Sequence, residues 1–250
     1  MIPYRLHTVR LAIGLLVLCS AVLRAQSSAD PSGHWEGAIQ TPEMSIRIEV
    51  DLVRNSSGEL AGTINVPPQN LRGFPLVFES VTGRSINFRF RGTPGNRMFQ
   101  GVLAEDGTSI SGDFIQGGYA MRFDLTRAGA ARIDEPIRSA PIGKELEGPW
   151  SATLEGNYPN GIPRRIILTL SNQPDGTSTG SVINPGDGLE IPITSITQKA
   201  STITLDLSAV SGSYSGTVNA DGTELKGTLI QGTAVLPLTF RRTPASENAK

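Results

Sequence analysis

The 250-residue chain has room for one large domain or two small ones, since domains cluster near roughly 100 to 150 residues. With 28 Gly, 17 Pro, 18% charged residues and a formal net charge of −1, it lacks the charge density of a disordered chain and the basic stripe of a nucleic-acid surface. One Cys and two His supply no Cys/His donor set for a metal centre.

In chain order, the first element is a targeting segment. Arg5 and Arg10 precede the apolar run Leu11 to Leu23, the pattern of a secretory signal peptide over residues 1–25. The run is shorter than the roughly 20 apolar residues a membrane span needs. Ala21, Ala25 and Ala29 are the candidate cleavage points, and cleavage predicts a secreted or periplasmic protein with no membrane span. Cleavage also discards Cys19 and leaves His34 as the only histidine, so no disulfide forms. Loss of Arg5, Arg10 and Arg24 lowers the 22 basic side chains to 19 against 23 acidic ones.

Beyond the leader the chain repeats itself. At an offset of 115 residues, Gly33-His34-Trp35 falls on Gly148-Pro149-Trp150, and Phe99 to Arg127 falls on Tyr214 to Arg242 without a gap. The expected organisation is a module over 33–127, a Pro-containing linker over 128–147, a second module over 148–243 and a disordered tail over 244–250. Period-two alternation dominates both modules. In β-strand SIRIEVDLVR, Ile46, Ile48, Val50 and Leu52 share an inward face, with Arg47, Glu49 and Asp51 facing out. SINFRFR sets Ile86, Phe88 and Phe90 against Asn87, Arg89 and Arg91, and ITLDL sets Ile203, Leu205 and Leu207 against Thr204 and Asp206. The signals SSGE, EDGT, PDGT and ADGT predict hairpin turns in which Asp and Gly take positive φ.

About eight short strands per module make an all-β chain of two tandem antiparallel up-and-down barrels, with β-sandwiches as the alternative. Inward parity of Gly101, Gly112, Gly216 and Gly227 favours barrels, because a strand without a side chain there coils sharply under a large neighbour. Trp35 and Trp150 open the first strands, and Arg127 and Arg242 end the last ones, all with inward parity. In a closed barrel those strands are neighbours, so each guanidinium is placed to cover an indole and seal the barrel, a contact worth roughly 0.5 to 2 kcal/mol.

The Gly-x-Trp and terminal Arg pairing resembles the closure signature of lipocalins. A longer resemblance runs through Gly33-His34-Trp35-Glu36-Gly37, Phe99-Gln100-Gly101 and Ile115-Gln116-Gly117, again in Tyr214-Ser215-Gly216 and Ile230-Gln231-Gly232. It is to the small β-barrel module preceding the catalytic domain of exported bacterial α/β-hydrolases and β-lactamase-like serine hydrolases. That resemblance implies a non-catalytic accessory module, here doubled without the hydrolase, whose partner would be a hydrolase or other exported protein.

Catalytic signals are sparse. GSYSG at 212–216 carries Tyr214 where a nucleophile elbow needs Ser. His34, outward beside Trp35, reads as a solvated surface histidine. Asp106 and Asp221 belong to turns, and Asp187 in NPGDGLE stands short of the oxygen ligands a calcium ion needs. The expectation is no enzyme and no cofactor, with an unrecognised hydrolase as the alternative. Phe88, Phe90, Phe99, Phe114 and Phe123 either fill the first barrel or line a cavity for a small apolar ligand. Leu205, Leu207, Tyr214 and Leu229 are their counterparts, and being mostly smaller they predict more room in the second barrel. Arg84, Arg89, Arg91 and Arg97 mark the outer face of the first module.

Overall fold

The computed structural model describes residues 30–92, 97–133, 137–154, 164–185 and 188–243. The leader, the tail and Asp187 lie outside the described residues. The first unit is built from β1 (Gly33–Gln40), β2 (Ser45–Arg54), β3 (Leu60–Val66), β4 (Leu71–Thr82), β5 (Ser85–Phe90), β6 (Met98–Leu103), β7 (Ser109–Gln116) and β8 (Tyr119–Gly129). Each strand pairs antiparallel with the next and β8 returns to β1, closing the barrel. Ile48, Val50 and Leu52 are fully buried inside it, as the alternation of β2 requires. Phe88, Phe99 and Phe123 fill the centre, with Phe88 stacked on Phe99 at 4.7 Å between centroids and Phe123 set edge-on to Phe99 at 5.2 Å.

The second unit comprises β9 (Gly148–Leu154), β10 (Arg164–Asn172), β11 (Ser178–Ile183), β12 (Glu190–Pro192), β13 (Ser195–Lys199), β14 (Thr202–Leu207), β15 (Gly212–Val218), β16 (Glu224–Gln231) and β17 (Ala234–Arg242). Here the sheet has nine strands, and its ladder curls round from β12 to β13 without pairing those two. The second unit has nine strands against the eight of the first because one strand divides. In the first unit β4 pairs with β3 only as far as Pro75, then continues beside β5 alone. In the second unit the same two tasks fall to separate strands, β12 on β11 and β13 on β14. Pro192, which has no N–H to give to a ladder, ends β12. Ile193 then donates to the Gly180 carbonyl on β11, and Thr194 to the Asp206 carbonyl at the end of β14.

The remaining seam is occupied by the stretch expected to be a linker. Ser139 bridges to Ser178 on β11, and its hydroxyl accepts from the Ile196 amide of β13 at 2.8 Å. Asn172 exchanges side-chain hydrogen bonds with both backbone groups of Ile142. Ile142 and Leu146 are buried members of the second core. Residues 137–147 therefore belong physically to the second unit.

Gly101 sits directly opposite Gly112, and Gly216 opposite Gly227, so each unit brings two bare Cα atoms together at one point of its wall. In the second unit the space inside is taken by Tyr214, whose ring lies edge-on to Phe240 and whose hydroxyl reaches the Leu225 carbonyl at 2.9 Å and the Leu238 carbonyl at 3.2 Å. Burial pushes that phenol well above its ordinary pKa. Tyr214→Phe removes both of these hydrogen bonds and is expected to cost about 1 to 2 kcal/mol. The check is the urea midpoint by far-ultraviolet circular dichroism, and an unchanged midpoint would make the hydroxyl dispensable.

The hairpin turns differ from expectation in one respect. Gly107 and Gly222 take positive φ, whereas neither Asp106 nor Asp221 does. Gly107 donates to the Ala104 carbonyl and Ala104 to the Ser109 carbonyl, a four-residue connection in which only the third position, Gly107, is left-handed. Asp106 instead accepts from the Thr108 amide and hydroxyl, and those bonds hold its carboxyl below the usual range. Turn chemistry explains this aspartate completely.

Candidate functional site

Each unit has one closed end. In the first, the Arg127 guanidinium carbon lies 4.2 Å from the Trp35 ring centroid, and in the second Arg242 lies 4.1 Å from that of Trp150. The indoles donate to the carbonyls of Pro31 and Leu146, both at 2.9 Å. Arg127 donates to the carbonyls of Asp30, Ser32 and Gly107, and Arg242 to those of Glu145, Glu147 and Gly222. Every member of the second set stands 115 residues after its counterpart. These four side chains form structural plugs, with their polar atoms engaged by backbone and no ligand space between them.

His34 is buried, not solvated. It is 2% exposed, with Nδ1 at 2.8 Å from Asp51 Oδ1 and Nε2 at 3.3 Å from Glu36 Oε1. Asp51, expected to face solvent, is 3% exposed and also accepts from the Arg132 amide. Strand parity placed both residues correctly outside the barrel wall. What it could not show is that the chain after β8 folds back over them. Both ring nitrogens are occupied by carboxylates, and among the described residues no hydroxyl bonds to the ring.

The opposite end of the first barrel is its mouth. Here β1 contributes Ile39, β2 Ile46 and β8 Met121, while the β3–β4 corner contributes Val66 and Leu71. Phe90 and Phe114 form the inner surface, each packed against the deeper Phe99. The second unit covers this mouth. The short 3-10 turn Ser208–Val210 and the β12 strand bring Ala209, Val210, Leu189 and Ile191 against the first core, with Ala209 wholly part of it. Between the two units remains a cavity of about 320 Å³, at the small end of the roughly 300 to 1,000 Å³ typical of ligand pockets. Among the described residues its polar lining is Thr41, Gln69, Arg97 and Gln116, with no acidic side chain.

Of the cavity residues read from sequence, Phe90 and Phe114 line this space. Phe88 and Phe99 are packed beneath it as filling. Leu205, Leu207, Tyr214 and Leu229 surround a void of only about 20 Å³ in the second unit. The expectation of more room there is overturned, because Tyr214 is pinned across the centre while Leu146 and Ile142 enter from the preceding segment. Arg97, placed on the outer face by sequence, is at the mouth. Arg84 and Arg89 remain outside in ion pairs with Glu105 and Glu79. A wider cleft of about 730 Å³ follows the side of the barrel where β4 leaves β3. It is rimmed by Arg54, Glu59, Glu79 and Arg91, and this alternation of sign favours no one class of ligand.

Leu189 and Val210 escaped sequence reading because they act across the repeat, which alignment of the halves cannot show. One signal was present: the alternation Ile203, Leu205, Leu207 continues to Ala209 after β14 has ended. An inward-parity alanine beyond its own strand is the mark of a turn buried by something else.

No family model and no curated protein matches the chain. Among solved structures, similarity is found to a Bacteroides fragilis protein provisionally assigned to the outer membrane, at 11% identity and a TM-score of 0.26, over 86% of this chain and 99% of that one. A Nostoc punctiforme protein of unknown function from the DUF3598 family aligns at 15% identity and a TM-score of 0.26, over 87% of this chain and 98% of that one. Neither likeness bears on function. Among the described residues no helix is long and apolar enough to cross a membrane, which leaves strand-spanning proteins unaddressed.

Proposed function

We propose that the protein is an exported, non-catalytic binding module that holds a small apolar molecule between the mouth of its first barrel and its second unit. The observation that carries this reading is the cavity of about 320 Å³ with aromatic and aliphatic walls from both units. Pockets of this kind, apolar with a few polar groups at one side, are the usual form of a small-molecule site. Export rests on the basic and apolar leader, and the accessory-module resemblance supports a role beside other exported proteins. A non-catalytic role is supported by the state of His34, whose two nitrogens are committed to carboxylates.

The test is the fluorescence of N-phenyl-1-naphthylamine, an apolar dye that brightens in dry pockets, titrated with the full chain. Binding at micromolar dye is expected for the wild type. Met121→Trp, which fills the mouth, is expected to abolish it while leaving the melting temperature within a few degrees, as surface-level changes do. Equal dye binding by both proteins would place the dye elsewhere and remove the reading.

A further inference from the structure

The cavity is chemically lopsided. Its inner wall is aromatic and aliphatic, and among the described residues its polar members Thr41, Gln69, Arg97 and Gln116 bring hydroxyl, amide and guanidinium groups but no carboxylate. Among the described residues Arg97 makes no ion pair. On the same unit Arg84 pairs with Glu105, Arg89 with Glu79 and Arg122 with Asp124, whereas Arg97 faces the cavity. Glu190 follows the cavity residue Leu189 and packs against Gly92, where an added Cβ would meet it. Glu190 is not part of the lining and forms no ion pair with Arg97.

A guanidinium beside an apolar space, with amide donors around it, is complementary to one kind of molecule. We infer that the ligand is a small amphiphile with an anionic head, a medium-chain monocarboxylate, whose chain lies against Phe90 and Phe114 and whose carboxylate meets Arg97. This rests on the binding reading above and adds to it the polarity and charge of the ligand. Arg97 supplies paired N–H donors in the fork that a carboxylate accepts. The amides of Gln69 and Gln116 supply further donors. A cationic head would meet the guanidinium with like charge and no compensating acid among the described lining residues. An uncharged head would leave the guanidinium unpaired against the ligand. Leu189 and Val210, contributed by the second unit, would cover the chain, so both halves of the protein take part in a single site.

Competition against N-phenyl-1-naphthylamine on the full chain separates the possibilities, using decanoate, decan-1-ol and decyltrimethylammonium with the wild type and with Arg97→Gln. Decanoate is expected to displace the dye at a concentration at least about tenfold lower than decyltrimethylammonium, the scale of one charge-assisted hydrogen-bonded contact. Arg97→Gln is expected to weaken decanoate by about tenfold and leave decan-1-ol unchanged. If decanoate and decyltrimethylammonium compete equally, or if Arg97→Gln weakens decanoate and decan-1-ol alike, the anionic assignment is overturned while the apolar site stands. If neither dye nor decan-1-ol binds the wild type, the site itself is rejected and the assignment with it.

Discussion

Trp150→Ala is expected to unfold the second unit under conditions in which the first remains intact, with a loss of about 3 to 5 kcal/mol. The indole is fully buried, donates to the Leu146 carbonyl and carries the Arg242 guanidinium on its face. Its removal opens a void at the plug and takes away the surface on which Arg242 lies. Arg242 in turn ties three carbonyls, of Glu145, Glu147 and Gly222, to the end of β17. The effect should therefore fall at the upper end of the range for large-to-small changes in a core. The chain has only two tryptophans, so the variant retains Trp35 as a reporter placed wholly in the first unit. Trp35 fluorescence should keep a late urea midpoint while circular dichroism shows an early phase. Trp150→Phe, which keeps much of the volume but loses the N–H donor, should fall between. A stability loss below about 1 kcal/mol for the alanine variant would contradict the plug as described.

Gly112→Val is expected to prevent closure of the first barrel, at a cost of about 3 kcal/mol or more. An added Cβ would stand 2.8 Å from the Gln100 carbonyl carbon and 3.0 Å from the Gly101 Cα, with the carbonyl oxygen closer still. Those are backbone atoms of the paired strand, which no rotamer change can clear, so β6 and β7 must separate. The counterpart in the second unit behaves alike, since a Cβ on Gly227 would meet the Gly216 Cα at 2.5 Å. Ser111→Val, one residue away with its side chain on the other face of β7, is the control and should cost less than about 0.5 kcal/mol. The measurement is the denaturation midpoint of each variant, with loss of dye binding as a second readout for Gly112→Val. Equal midpoints for the two would show that the glycine pair is a passive accident of the repeat.

The barrel wall was legible because alternation is a local property. Ile48, Val50 and Leu52 declare their face without reference to anything distant, and so does the glycine at 101 or 112. The Trp and Arg plugs were legible for a second reason, that an up-and-down sheet makes its first and last strands neighbours. What escaped depends on contacts that neither period nor repeat encodes. Pro192 stands in no alternating run, yet it divides β12 from β13 and leaves the second sheet unclosed on itself. His34 and Asp51 obeyed outward parity, which distinguishes sides of a sheet but not water from a covering segment. Leu189, Arg97 and Val210 converge only because one unit sits on the mouth of the other, and the two halves were read separately.

The seam in the second sheet reaches beyond its own geometry. Ser139 stitches it and Leu146 supplies part of its core, although both precede the point at which the internal similarity begins. The natural joint for cutting, shuffling or transplanting this half of the molecule is thus displaced upstream of the repeat. A gene fragment trimmed to the visible periodicity, starting at Gly148, would leave behind the peg that fastens its own wall.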